Sequence, residues 1–413
     1  MRVAHRVAAL ASSSTVELAD RIRTMRASGT DIIDLTGGEP DFDTPAAVVD
    51  EAVRALHDGF THYTSSSGVP ELRAAIADKL RTDNGVIVDP EFGICVTPSA
   101  KHALFAAIMT VLDPGDELMI MTPGWVSYES MVSLAGGSIA KVPLEARDGA
   151  FRVTQGALEA AVNSRTRAIL VNTPNNPTGN VLTVREVETI AEFAERHDLF
   201  IISDEIYEKV IYSGYRHRSL AAHPKAGART FTVNGFSKGY AMTGWRLGYV
   251  AGPSFAIQQL LKVHQHTVSC ASSFVQRGGL AALTETEEAV TDMTREYERR
   301  RNLVVHGLNR IPGIRCALPE GAFYAFPSVE ELGVGTGVDT ASWLLEEAQV
   351  AVTPGEVFGP GGEGRVRLSF AASYDVLAEA LRRIETVCRC RPAAGYVTPS
   401  TITTSLTTGE YTV

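Results

Sequence analysis

The chain has little of what would mark it for a membrane, a nucleic acid or an oxidising compartment. None of its apolar runs is long enough to cross a bilayer. It carries 38 Lys and Arg against 48 Asp and Glu, a net charge of −10, with no basic stripe, which argues against a nucleic-acid partner. Only five cysteines occur in 413 residues: Cys95, Cys270, Cys316, Cys388 and Cys390. They are scattered and odd in number, so buried thiols in a reduced cytoplasm are expected rather than a disulfide framework. Cys388 and Cys390 have no histidine or second cysteine pair nearby to complete a zinc site. Arg2 and Arg6 precede only a short apolar piece, which makes a poor signal peptide. No internal repeat is present.

What is present is a large apolar fraction, 45%, enough to fill one large domain and a smaller one. Strand-like runs at 32–35, 94–97, 117–121, 167–171, 199–203 and 230–233 alternate with helical patterns at 16–28, 70–83 and 184–197 and a helical run from Ala103. A helix over 45–58 is predicted to take Thr44 as N-cap and Pro45 as its first residue. This alternation predicts an α/β fold, a mainly parallel sheet with helices on both faces. Residues 252–307 read as helical, with the charged stretch 294–301 as a solvated face. Strand-like pieces at 323–326 and 366–370 and a helix at 376–386 follow. Residues 391–413 are Thr- and Ser-rich without periodicity and read as a flexible tail.

Chemistry concentrates in one stretch. Lys238 follows an apolar run and sits among Gly235, Ser237 and Gly239; Arg246 precedes another apolar run, 247–251. A lysine held in an open turn between buried segments is partly desolvated, which lowers its pKa and makes the amine a nucleophile toward an aldehyde. An arginine close by offers a fork for a phosphate. Together they suggest pyridoxal phosphate bound as a Schiff base; the plainer alternative is a surface lysine and an ion-paired arginine. Asp204, at the end of an apolar strand, needs a partner, either a helix N-terminus or a cationic ring nitrogen. Trp125 lies just past a strand end, where α/β ligands sit, or else in the core. Pro98-Ser-Ala-Lys-His102 is a small-residue turn between strand and helix, a phosphate-binding geometry that many such turns share without binding anything.

Six motifs in order carry a resemblance: Gly37-Gly-Glu-Pro-Asp-Phe-Asp-Thr-Pro45, Asp113-Pro-Gly-Asp116, Asn175-Asn-Pro-Thr-Gly179, Ser203-Asp-Glu-Ile-Tyr207, Asn234-Gly-Phe-Ser-Lys238 with Gly244-Trp-Arg246, and Val366-Arg-Leu-Ser369. Over residues 14–390 the chain resembles the fold-type I pyridoxal-phosphate enzymes, specifically class I/II aminotransferases of the bacterial aspartate/aromatic type. The resemblance implies a cofactor domain over 46–300, a smaller α+β domain from 301–390 joined by part of an arm at 1–45, and a tail at 391–413.

It also implies roles. Lys238 matches the Schiff-base lysine that moves a proton at the substrate Cα. Asp204 matches the carboxylate that keeps the ring nitrogen protonated, and Tyr207 and Asn176 match the pair that holds the phenolate oxygen. Trp125 matches the ring that stacks on the cofactor. Ser99, Ala100, Lys101, Ser237 and Arg246 match the phosphate site, with Tyr63 reaching it from the neighbouring subunit of a homodimer. Arg367 matches the fork for the substrate α-carboxylate, assisted by Gly38 and Asn176. Many relatives have a hydroxyl residue three places before the lysine, where this chain has Gly235. Lys101, Ser14 and Thr15 match positions that contact a distal carboxylate, which implies aspartate or glutamate as substrate. The implied activity is amino-group transfer between an amino acid and a 2-oxo acid. The alternatives are elimination, replacement or cyclisation on an activated amino acid such as S-adenosylmethionine, or a non-catalytic ligand sensor.

Overall fold

The computed structural model describes residues 3–8, 10, 14–147 and 149–390. Its centre is a seven-stranded sheet: β1 (Ile94–Thr97), β2 (Glu117–Thr122), β3 (Ser138–Pro143), β4 (Thr166–Asn172), β5 (Phe200–Asp204), β6 (Thr230–Gly235) and β7 (Gly248–Ala251), in the order β1-β7-β6-β5-β4-β2-β3. Parallel pairing runs from β3 through β2, β4 and β5 to β6. β7 alone runs antiparallel to its neighbours β6 and β1.

The central strands are apolar along their whole length because both faces are covered. Leu118 and Ile120 of β2 pack with Leu104, Ile108, Ile257 and Leu260 on one side. Met119 and Met121 pack with Val187, Ile190 and Ala191 on the other. The period of two sends alternate residues to helices Ala100–Val111 and Ser254–Thr267 on one face and to Val184–Arg196 on the opposite face. Since β6 and β7 are antiparallel neighbours, the connection 236–247 turns back on itself beyond the C-terminal end of β6, and it carries both Lys238 and Arg246.

A second core gathers residues from both ends of the chain. Ile33–Asp34 pairs in parallel with Val350–Ala351, and Val366–Ser369 lies between Tyr324–Ala325 and Thr353–Pro354. Helices Glu287–Asn309 and Tyr374–Cys390 pack over it through Val304, Leu308, Leu377 and Leu381.

Several local expectations are corrected. Thr44 does not cap its helix, which runs Ala46–His57 without a side-chain cap. Its hydroxyl donates to Ala241 O (2.7 Å) and accepts from Trp245 Nε1 (2.9 Å), a tie to the Lys238 connection instead. The helix from Pro70 is regular only to Lys79 and widens into a π-turn over Leu80–Asn84. The stretch 294–301 is not wholly solvated. Arg300 and Arg301 are buried, Arg300 pairing with Asp41 and Glu296 and Arg301 with Glu298. Cys95 and Cys316 are buried thiols that burial pushes up to about 12, but Cys390 is exposed. The 391–413 tail lies outside the described residues. No helix among the described residues is long and apolar enough to cross a membrane.

Candidate active site

The C-terminal ends of β1, β2, β4 and β5 open on a cavity of about 640 Å3. It is lined by Gly38, Ser99, Ala100, Lys101, Trp125, Asn176, Asp204, Tyr207, Ser237, Lys238, Arg246 and Arg367. Of the expected binding and catalytic residues whose side chains are described, Tyr63 alone is elsewhere; the side chains of Ser14 and Thr15 lie outside the described residues. Its side chain is 90% exposed and borders a separate cleft with His62 and Phe274.

One wall of the cavity is built for an anion. Ser99 adopts a left-handed backbone (φ 110°) and caps helix Ala100–Val111 by accepting from His102 N at 3.3 Å. The first turn of that helix leaves N–H groups without intrahelical partners, aimed at the cavity rim. Gly248 lets this turn sit against β7, since a Cβ there would come within 2.3 Å of Ala100 N. Arg246 closes the wall, anchored by Nη1 to Thr243 O at 2.8 Å. Lys101 stands 4.8 Å over the Trp125 ring. Burial, then the neighbouring Arg246, lowers its pKa. Gly235 is not in this wall. A Cβ on it would meet Gly248 Cα and Leu247 O at 3.0 Å, so a side chain there needs β6 and β7 to give by a few tenths of an ångström.

Lys238 stands on the floor and donates to Gly38 O. Burial brings its pKa down to about 8 against the attraction of Glu39 and Asp204, with Arg246 and Arg367 adding to the fall. Asp204 is buried at the end of β5, and burial pushes its carboxyl up to about 6. Hydrogen bonds from Tyr128 Oη to Oδ2 (2.7 Å) and from Ile206 N to Oδ1 (3.3 Å) oppose that rise. The helix-cap alternative for Asp204 does not apply, because no helix begins there.

The far side is a second fork. Arg367 is buried, donates from Nη1 to Asn176 Oδ1 (3.1 Å) and from Nη2 to Thr36 O (2.7 Å), and lies 4.5 Å over the Tyr324 ring. Its Nε is buried without a partner. Tyr207 Oη shares a hydrogen bond of 2.9 Å with Tyr324 Oη, and burial raises both phenols. Among the described residues, Lys101, Arg246 and Arg367 form no ion pair.

Sequence reasoning missed Tyr128, Tyr324, Thr36, Glu39 and Phe358, all of which line the cavity. Tyr128 had a signal: it follows Trp125 at helical spacing just past a strand end. Tyr324 lay in a recognised strand-like piece, but its facing depended on long-range pairing.

Residues 30–384 match the family model described as "Aminotransferase class I and II". The chain belongs to the class I and II aminotransferases. This aminotransferase is 46% identical over 382 residues to aspartate aminotransferase of Musicola paradisiaca, covering 92% of this chain and 95% of the relative. It is 42% identical over 360 residues to aromatic-amino-acid aminotransferase 2 of Thermococcus litoralis, covering 87% and 92%. The solved structure of aspartate aminotransferase from Thermus thermophilus with maleate superposes with a TM-score of 0.88 at 41% identity, covering 94% of this chain and all of that one. Membership makes the protein a pyridoxal-phosphate-dependent transferase of amino groups between amino acids and 2-oxo acids. The relatives' names speak for amino-group transfer rather than for elimination, replacement, cyclisation or ligand sensing.

The cavity fits that cofactor by its own donor set. It offers an amine of lowered pKa for an aldehyde and a helix N-terminus with an arginine for a phosphate. A buried carboxylate is present for a ring N–H, with a phenol and an amide for a phenolate oxygen.

Proposed function

We propose that this aminotransferase takes a dicarboxylic amino acid, aspartate or glutamate, and works as a homodimer. The observation that carries the substrate reading is a charge count. Besides Lys238, the amine for the cofactor aldehyde, three cations without ion-pair partners among the described residues face one cavity: Arg246, Arg367 and Lys101. A cofactor phosphate and an α-carboxylate account for two. A third anion, the distal carboxylate, matches Lys101. The Musicola relative bears the name aspartate aminotransferase, and maleate, the ligand named with the Thermus structure, is itself a dicarboxylate. The side chains of Ser14 and Thr15, the other expected distal contacts, lie outside the described residues.

In this reading Arg246, Ser99, Ser237 and the backbone of Ala100 and Lys101 hold the phosphate, which leaves the Lys101 amine for the distal carboxylate, and Trp125 covers the ring. Asp204 faces the ring nitrogen; Tyr207 and the Asn176 amide donate to the phenolate oxygen. Arg367 grips the α-carboxylate through its fork, with the Gly38 backbone beside it, and so aims the Cα–H at Lys238. Pyridoxal phosphate, when bound, supplies the electron sink for negative charge at Cα. Lys238 Nζ takes the Cα proton as a general base and returns it on the other side of the exchange, a task its lowered pKa suits near neutral pH.

Two surface features support the dimer. Tyr63 is nearly fully exposed beside the cleft it borders, placed to serve the site of a partner subunit. Val49, Val53 and Leu56 also form an exposed apolar stripe at helical spacing on Ala46–His57. The buried thiols Cys95 and Cys316 suit a reducing cytoplasm.

Comparing kcat/KM for aspartate, glutamate, phenylalanine and alanine, with 2-oxoglutarate or oxaloacetate as acceptor, tests the substrate reading. A preference of roughly 100-fold or more for the dicarboxylates, as expected for pairing a distal charge with Lys101, supports it. Equal or better use of phenylalanine defeats it.

A further inference from the structure

Asp204 lies at the bottom of the cavity with few partners. Its Oδ1 accepts only a long hydrogen bond from Ile206 N, 3.3 Å, on its own segment. Among the described residues, the single short hydrogen bond to its carboxylate comes from another element, Tyr128 Oη to Oδ2 at 2.7 Å. Tyr128 is fully buried in the first turn of helix Ser127–Leu134, and its ring packs edge-on against Trp125, centroids 5.3 Å apart at 89°. A phenol has one proton to give, and here it is committed to Asp204.

We propose that Tyr128 is a positioning residue for amino-group transfer: its hydroxyl, donated to Asp204 Oδ2, holds that carboxylate turned toward the cavity and in its charged form. The proposal rests on the reading of Asp204 as the partner of the cofactor ring nitrogen.

The physical case is one of compensation. A carboxylate taken out of water drifts toward its neutral form unless donors replace the lost solvation. The titratable groups around Asp204 are Tyr128 from its helix, Lys238 from the connection 236–247, and Glu205 and Tyr207 on its own segment. Glu205 pushes the carboxyl up, Lys238 pulls it down, and burial dominates. Tyr128 provides the largest opposing effect, and it remains a donor at working pH because burial and Asp204 itself raise its own pKa well above the usual phenol range. Without the hydroxyl, Asp204 becomes the stronger base. With the cofactor bound, the proton between ring nitrogen and carboxylate would lie nearer the carboxylate, and the ring would be a poorer sink for charge at Cα.

The test uses Tyr128→Phe holoenzyme, with two readouts. The first is cofactor retained after dialysis across pH 4–9. The midpoint for loss on the acid side should move upward by about one pH unit, because the carboxylate that faces the ring nitrogen is neutralised earlier. The second is kinetic. kcat should fall roughly ten-fold while KM for the amino acid changes less than about two-fold, because Tyr128 does not touch the α-carboxylate fork. A merely structural tyrosine would leave the midpoint and the kcat pH profile in place, and that result overturns the proposal. Asp204→Asn separates the two layers of the argument. If it keeps cofactor and rate, the reading of Asp204 fails and Tyr128 loses its role with it. If it loses both while Tyr128→Phe changes neither readout, only the Tyr128 proposal fails. Should Tyr128→Phe not fold, 3-fluorotyrosine placed at position 128 gives the opposite sign. A more acidic phenol is a stronger donor and must move the midpoint downward; an unmoved or raised midpoint overturns the proposal.

Discussion

Arg367 and Asn176, 191 residues apart in sequence, meet through a hydrogen bond of 3.1 Å from Nη1 to Oδ1. One belongs to the small three-stranded sheet and the other to the loop beyond β4, so this contact closes the cavity between the two cores. Arg367→Lys replaces a planar fork by a point charge that cannot bond Asn176, Thr36 and a carboxylate together. The expected outcome is a KM for every amino acid raised roughly 100-fold, with cofactor content unchanged. Steady-state kinetics with an absorbance check of bound cofactor measures both.

Lys101 separates substrates rather than serving all of them. In Lys101→Met, kcat/KM for aspartate should fall roughly ten-fold or more beyond any fall for phenylalanine, because only the dicarboxylate loses an ion pair. Equal losses for both substrates would assign Lys101 to the phosphate alone.

Lys238 costs stability in the cofactor-free protein. Its pKa is lowered to about 8 from the usual 10.5 by burial. Between those values the unfolded chain binds more protons, so native stability rises with pH across that window, and the whole cost is present below pH 8. Lys238→Met should therefore raise the melting temperature of the apoprotein at pH 7, by about 1–3 kcal/mol of stability, while abolishing transamination. The gain should shrink as pH approaches 10.5. Calorimetry at pH 7 and pH 10 checks the sign.

Gly235 stands where many relatives have a hydroxyl residue. Because a Cβ there meets Gly248 Cα and Leu247 O at 3.0 Å, Gly235→Ser should not tighten cofactor binding. It should lower stability by about 1–2 kcal/mol as β6 and β7 move apart. Thermal melts and cofactor titration distinguish this from a gain of one phosphate contact.

The sequence made the sheet legible because its central strands are buried on both faces and read as plain apolar runs. The cavity was legible where chemistry and turn formers coincide: Lys238 among glycines, Asp204 at a strand end, Ser99 before a helix. Pairing direction was not, since nothing local distinguishes the antiparallel β7 from its parallel neighbours. Thr44 looked like a cap because threonine before proline usually is one, but a tertiary partner, Trp245, took its oxygen. Arg300 and Arg301 looked solvated because their partners, Asp41 and Pro319 O, are distant in sequence. Tyr128 was signalled only by its spacing from Trp125 and Tyr324 by nothing local, and the fold brings them to Asp204 and Tyr207.

The most direct test of the central reading follows the nitrogen atom. The purified holoenzyme is given 15N-labelled L-aspartate and unlabelled 2-oxoglutarate, and the products are resolved by NMR. Amino-group transfer at this cavity predicts 15N-glutamate and oxaloacetate in equal amounts, with Lys238→Ala forming neither at a measurable rate. Release of the label as ammonium, or glutamate that carries none of it, would contradict the account.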